Sequence, residues 1–181
     1  MQRRTIGFES VGVGLDTRSV LDWLKMAGVL ERSYRAVLRE AQHGLRRLSS
    51  NPILGSASPG SEVKLTGRQK VSLRVTLEKA EMMKPAAMLA AMSIECSLKA
   101  IIAISKKPPK THRLSELAQS AGLQLSGSKA ETLGHLAAMI QLGRYHIDSN
   151  NTTRSKISPK GIDVVVNEVR EHATARCRNV M

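Results

Sequence analysis

Residues 88–117 read MLAAMSIECSLKAIIAISKKPPKTHRLSEL, and their reading decides the fold. The first part is apolar for almost five turns and carries one charged pair, Glu95 and Lys99, four residues apart. A basic turn with Pro108 and Pro109 stops it, and Thr111-His112-Arg113-Leu114 begins a second helical pattern. A stretch apolar on every side must be buried on every side, so it is the central helix of a bundle. The apolar run over residues 86–105 is also long enough to span a bilayer, at about 1.5 Å per residue. It is read instead as a core helix. Glu95 and Lys99 lie near its middle, where each charge costs about 2.5–3.5 kcal/mol on insertion scales.

The apolar pattern continues on both sides. Val20, Leu24, Ala27, Leu30, Tyr34, Val37, Leu38, Ala41, Leu45 and Leu48 recur at three and four over residues 17–48, with Gly28 a possible break between two helices. Glycine, serine and proline crowd residues 49–67, which read as a loop or linker. Residues 68–84 alternate at Val71, Leu73, Val75 and Leu77, yet the same residues also pair at i, i+4. Without an evident partner strand, a helix is expected. Pro85 fits a first helical turn, and Thr111 is read as the cap of a short helix ending before Gly122. Ser128 with Glu131 has the form of a capping box, before Leu133, Leu136, Ala137 and Ile140. Ser158-Pro159 opens a last helix, with Ile162, Val165, Val166, Val169 and Ala173 inward. The expectation is an all-α antiparallel bundle of five to six helices over 65–181, preceded by a helical extension and loop over 1–64.

Composition narrows the chemistry. Aromatics make up 2% of 181 residues, so the core must be built from aliphatic side chains and methionine. Two cysteines make neither a disulfide framework nor a zinc site, and a reduced, cytoplasmic setting is expected. No histidine spacing suggests a metal, and no cofactor motif is present. The net charge is +13, with +4 on residues 1–66, +7 on 67–146 and +2 on 147–181. Such a balance favours polyanionic partners, through counterion release. Scarce aromatics leave few stacking platforms, so binding should follow the backbone with little sequence preference.

Lys106, Lys107, Lys110 and Arg113 bunch within eight residues and, with Arg144, form the expected nucleic-acid-binding set. Free backbone amides at the helix start after the turn would add to the attraction. Glu95 and Lys99 read as a structural pair in a polar seam, and His112 as a turn-stabilising residue bonded to nearby backbone. Arg144 and His146 are the candidates for chemistry, since a cation and an imidazole two apart could hold a phosphate and move a proton.

The run Pro85-Ala86-Ala87, Leu89-Ala90, then Ser93 through Ala100, the turn Lys110 through Leu117, and Gly143-Arg144-Tyr145 resembles a HEPN domain over about residues 65–175. This is a helical family of prokaryotic toxin–antitoxin, abortive-infection and RNA-processing systems. The resemblance implies a helical bundle that dimerises, with an antitoxin or nucleotidyltransferase as a conceivable partner protein. Many members are metal-independent ribonucleases whose motif places four to six residues between an arginine and a histidine. No arginine here stands at that distance before a histidine, and Arg144 has one residue before His146. The expected function is therefore a non-catalytic dimeric module that binds RNA or a nucleotide, without a membrane role. The alternatives are a divergent endoribonuclease using Arg144 and His146, and a protein-interaction subunit that binds no nucleic acid.

Overall fold

A computed structural model describes residues 17–51, 65–145 and 158–178, with the backbone alone for 17–18 and 141–145. Six helices account for most of these residues: α1 Thr17–Ser49, α2 Gly67–Glu81, α3 Met83–Ala103, α4 Leu114–Ser120, α5 Ser128–Tyr145 and α6 Pro159–Cys177. Among the described residues there is no strand, and the fold is an all-α bundle.

Helix α3 is its axis, packed against α1, α4, α5 and α6. Fourteen of its residues are buried, from Ala86 to Ile102, which is why its sequence has no polar face. Ala86, Ala87, Ala90, Ala91 and Ala100 are all buried, and side chains this small let neighbours approach from several directions. Ser93 is accommodated by donating its hydroxyl to the Ala27 carbonyl of α1 at 3.0 Å. The run from 67 to 103 is long and apolar enough to cross a membrane by composition, and 83% of its most apolar window lies buried inside the bundle.

Helix α1 is amphipathic, burying Val20, Ala27, Tyr34, Leu38 and Ala41. It passes through Gly28 as one helix, without the break that this glycine could have made. A glycine in mid-helix costs about 1 kcal/mol relative to alanine, and the buried stripe continuing on both sides outweighs that. Tyr34 and Leu38 join Ile94, Leu98, Leu114, Leu136, Ile162 and Val165 in one cluster. The expected division after residue 64 therefore does not divide the core, because α1 belongs to it.

The ambiguous stretch is helix α2. Thr66 fixes its start by a reciprocal box: the Thr66 amide donates to Gln69 Oε1 at 2.8 Å, and the Gln69 amide to the Thr66 hydroxyl at 3.4 Å. Only Thr76 is buried, while Val71 is 65% exposed, so the alternation of valine and leucine marks no core face. Pro85 separates α2 from α3. Lacking an N–H, it cannot bond the carbonyl of Glu81, and the chain turns at Met82.

Two starts differ from expectation. Helix α4 begins at Leu114 rather than Thr111, whose hydroxyl instead accepts the Arg113 amide at 3.2 Å. Ser128 is already the first residue of α5, preceded by Gly127 at φ +55°, so it is not the residue before the helix that a capping box needs. The stops and the last start agree with expectation. Gly122 at φ +69° ends α4 while Leu123 N–H bonds Ala118 carbonyl at 2.9 Å. Ser158 accepts the Gly161 amide at 2.9 Å, with Pro159 in the first turn of α6.

A polar network ties α1 to α6, including the Arg170 guanidinium on Glu31 at 3.1 Å. The Tyr34 hydroxyl donates to Asp163 at 2.6 Å, and Arg35 donates to both Glu31 and Asn167. Burial, then the Asp163 carboxylate, holds the Tyr34 hydroxyl far above the usual phenol range. It therefore acts as a donor at any physiological pH.

Candidate functional site

Glu95 and Lys99 lie one turn apart on α3, and both are buried there. The Lys99 ammonium donates to Glu95 Oε1 at 2.8 Å, with side-chain exposures of 6% and 8%. Trp23 of α1 covers the ammonium, its ring centre 5.2 Å from Nζ. The third partner comes from the loop after α3. His112 Nδ1 lies 2.8 Å from the same Oε1, while its side chain is 43% exposed. His112 therefore meets a carboxylate seventeen residues away, rather than the nearby backbone expected of it. Glu95 Oε2 is buried with no hydrogen-bond partner. All of the carboxylate's bonding falls on one oxygen, shared by an ammonium and an imidazole.

The loop carrying His112 holds the basic cluster. Lys106, Lys107 and Lys110 are exposed, and among the described residues none of them has an ion-pair partner. Arg113 differs, donating to Glu116 at 2.9 Å, and that carboxylate raises the guanidinium further above its usual range. Its charge is partly offset. Helix α4 is seven residues long, and the Arg113 amide is already taken by Thr111. The attraction of the loop is therefore its lysines rather than a helix terminus.

No protein-family model, curated protein or solved structure matches the chain. Its chemistry has to be read from these side chains.

Arg144 lies in the last turn of α5 with only its backbone described, and His146 lies outside the described residues. The Arg144–His146 pair expected for chemistry, and Gly143 and Tyr145 beside it, therefore have no described side-chain geometry. Among the described residues no three His, Cys, Asp or Glu side chains gather as metal ligands. His172 is bonded to the Ala121 carbonyl at 3.2 Å. A shallow groove where α5 and α6 begin is lined by Ser128, Lys129, His135, Ser158 and Lys160, and Lys129 is tied to Glu168.

Cys96 adjoins the charged cluster. Burial, and then Glu95, pushes its thiol up to about 11, and burial raises Cys177 as well. At pH 8 Cys96 should consequently react with iodoacetamide roughly a hundredfold more slowly in the folded protein than in guanidinium. Mass spectrometry of labelled peptides over time measures this ratio, and equal rates would contradict the burial described.

The sequence pattern identified Glu95, Lys99 and the lysine loop. It missed Trp23 as the cover of Lys99, and Glu95 as the partner of His112. Nothing local marks either contact, because both join segments distant in sequence.

Proposed function

We propose that this protein is a HEPN-like, dimeric helical module that binds single-stranded RNA along its phosphate backbone, without cleaving it. The observation that carries this reading is the set of three exposed, unpaired lysines at 106, 107 and 110, set around two prolines on a chain of charge +13. Prolines limit the conformations of the loop, so less entropy is lost when its cations order around phosphates. The scarcity of aromatic side chains argues for phosphate contacts over base stacking. Arg113, already paired with Glu116, contributes less than the lysines.

Fluorescence anisotropy with a labelled single-stranded RNA, repeated from 50 to 300 mM salt, tests the proposal. Affinity should fall steeply with salt. Replacing Lys106, Lys107 and Lys110 by alanine should reduce the log–log slope by about 2, at roughly 0.7 per lost phosphate contact. Binding that ignores salt, or survives the triple substitution unchanged, would sink the proposal. Equal affinity for a mononucleotide would reassign the site to a nucleotide rather than a polymer.

A further inference from the structure

We infer that the outer face of α1 is a second phosphate-binding surface, a row of Lys25, Arg32, Arg39 and Arg46 along which single-stranded RNA lies extended. This goes beyond the lysine loop and rests on the reading that the protein binds RNA.

The four cations recur at a strict interval of seven residues within α1. So do Val20, Ala27, Tyr34 and Ala41, all of them buried. Each cation follows one of these by five residues, which at 3.6 residues per turn places it about 140° round the helix. The row therefore faces away from the bundle wherever the buried stripe faces into it. All four residues are exposed.

Their charge is left uncompensated. Among the described residues none of the four forms an ion pair. Of the three carboxylates on α1, two are engaged with other cations, Glu31 with Arg35 and Arg170, and Glu40 with Lys79. Three of the four members are arginines, whose planar guanidinium can hold a phosphate through two hydrogen bonds. The Trp and Tyr of α1 are engaged elsewhere, Trp23 over Lys99 and Tyr34 in the core. The row thus offers charge along a backbone rather than a surface for stacking bases.

Spacing selects the form of the polymer. At about 1.5 Å per residue, neighbours in the row stand about 10.5 Å apart and the whole row is about 32 Å long. It drifts by about 20° per repeat, or about 60° over its length. A strand of a double helix goes once round its axis in about 34 Å, so it would wind away from such a row. A single strand has no such axis and can present one phosphate to each cation in turn.

The test is anisotropy on the full chain with a labelled homouridine 20-mer from 50 to 300 mM salt. Replacing Lys25, Arg32, Arg39 and Arg46 together by alanine should lower the log–log slope by about 3, at roughly 0.7 per lost contact. A second variant, with Arg68, Lys84, Lys160 and Arg176 replaced by alanine, removes the same charge from exposed sites scattered over α2, α3 and α6. Its slope should change by less than about 1, as should that of the row variant with a duplex of equal length. Alanine favours the helix at exposed positions, so α1 should persist. If the fourfold variant does not fold, Lys25→Ala with Arg32→Ala, and Arg39→Ala with Arg46→Ala, should each give about half the effect.

A row variant with the wild-type slope, or with no greater loss than the scattered variant, overturns the inference and leaves binding at the lysine loop standing. An equal loss of slope with the duplex overturns it as well. RNA binding absent at every salt concentration overturns both.

Discussion

Replacing Lys99 with methionine should destabilise the protein by about 3–5 kcal/mol, the usual cost of removing one partner from a buried ion pair. The loss comes less from the missing attraction than from what is left behind. Glu95 would remain buried, with Oε2 already unpartnered and only His112 on Oε1. Replacing both residues by apolar ones of similar size should recover most of the loss, because such a double change removes the desolvation cost together with the attraction. Urea unfolding of the two single variants and the double variant gives the coupling directly. A Lys99→Met protein within 1 kcal/mol of wild type would mean that water reaches the pair and screens it.

Gly44 is the second position where a small change should have a large effect. It lies on the buried face of α1 where α2 crosses, and a Cβ built there would stand 2.6 Å from the Ala80 nitrogen and 2.8 Å from Lys79 Cβ. Since the nearest atom is backbone, no side chain can rotate away to make room. The helices must separate, at about 1–3 kcal/mol for overpacking, with leucine at the upper end. Alanine also gains about 1 kcal/mol of helix propensity over glycine, so Gly44→Ala should be mildly destabilising and Gly44→Leu strongly so. The Lys79–Glu40 bridge at 2.8 Å spans the same crossing and should be strained with it. Thermal melts of the two variants check the order. An alanine variant more stable than wild type would show that the crossing relaxes at little cost.

Most of the bundle was legible because its helices are encoded locally. The stripe of α1, the unbroken apolarity of α3 and the inward valines of α6 follow from spacing alone. So do Gly122 and Ser158, whose roles depend on neighbours within a few residues. What escaped was of two kinds. Gly44 carries no local signal, because its reason is a backbone thirty-six residues further along. Gly28, an equally plain glycine, invites a break in the sequence pattern that packing overrides. Tyr34 with Asp163, and His112 with Glu95, are pairings between distant segments, and a single sequence has no period that marks them. The lysine loop was visible as charge, while the distinction between its exposed lysines and Arg113, paired with Glu116, is set by the fold.

Trp23 gives the charged cluster a second significance. It is the only tryptophan of the chain, and its ring rests over the Lys99 ammonium. An indole is sensitive to the field around it, and the charge beneath this one is a buried ammonium paired with Glu95. A change in the Lys99–Glu95 pair should therefore shift that emission. The protein carries a built-in optical probe at the place where its charges meet.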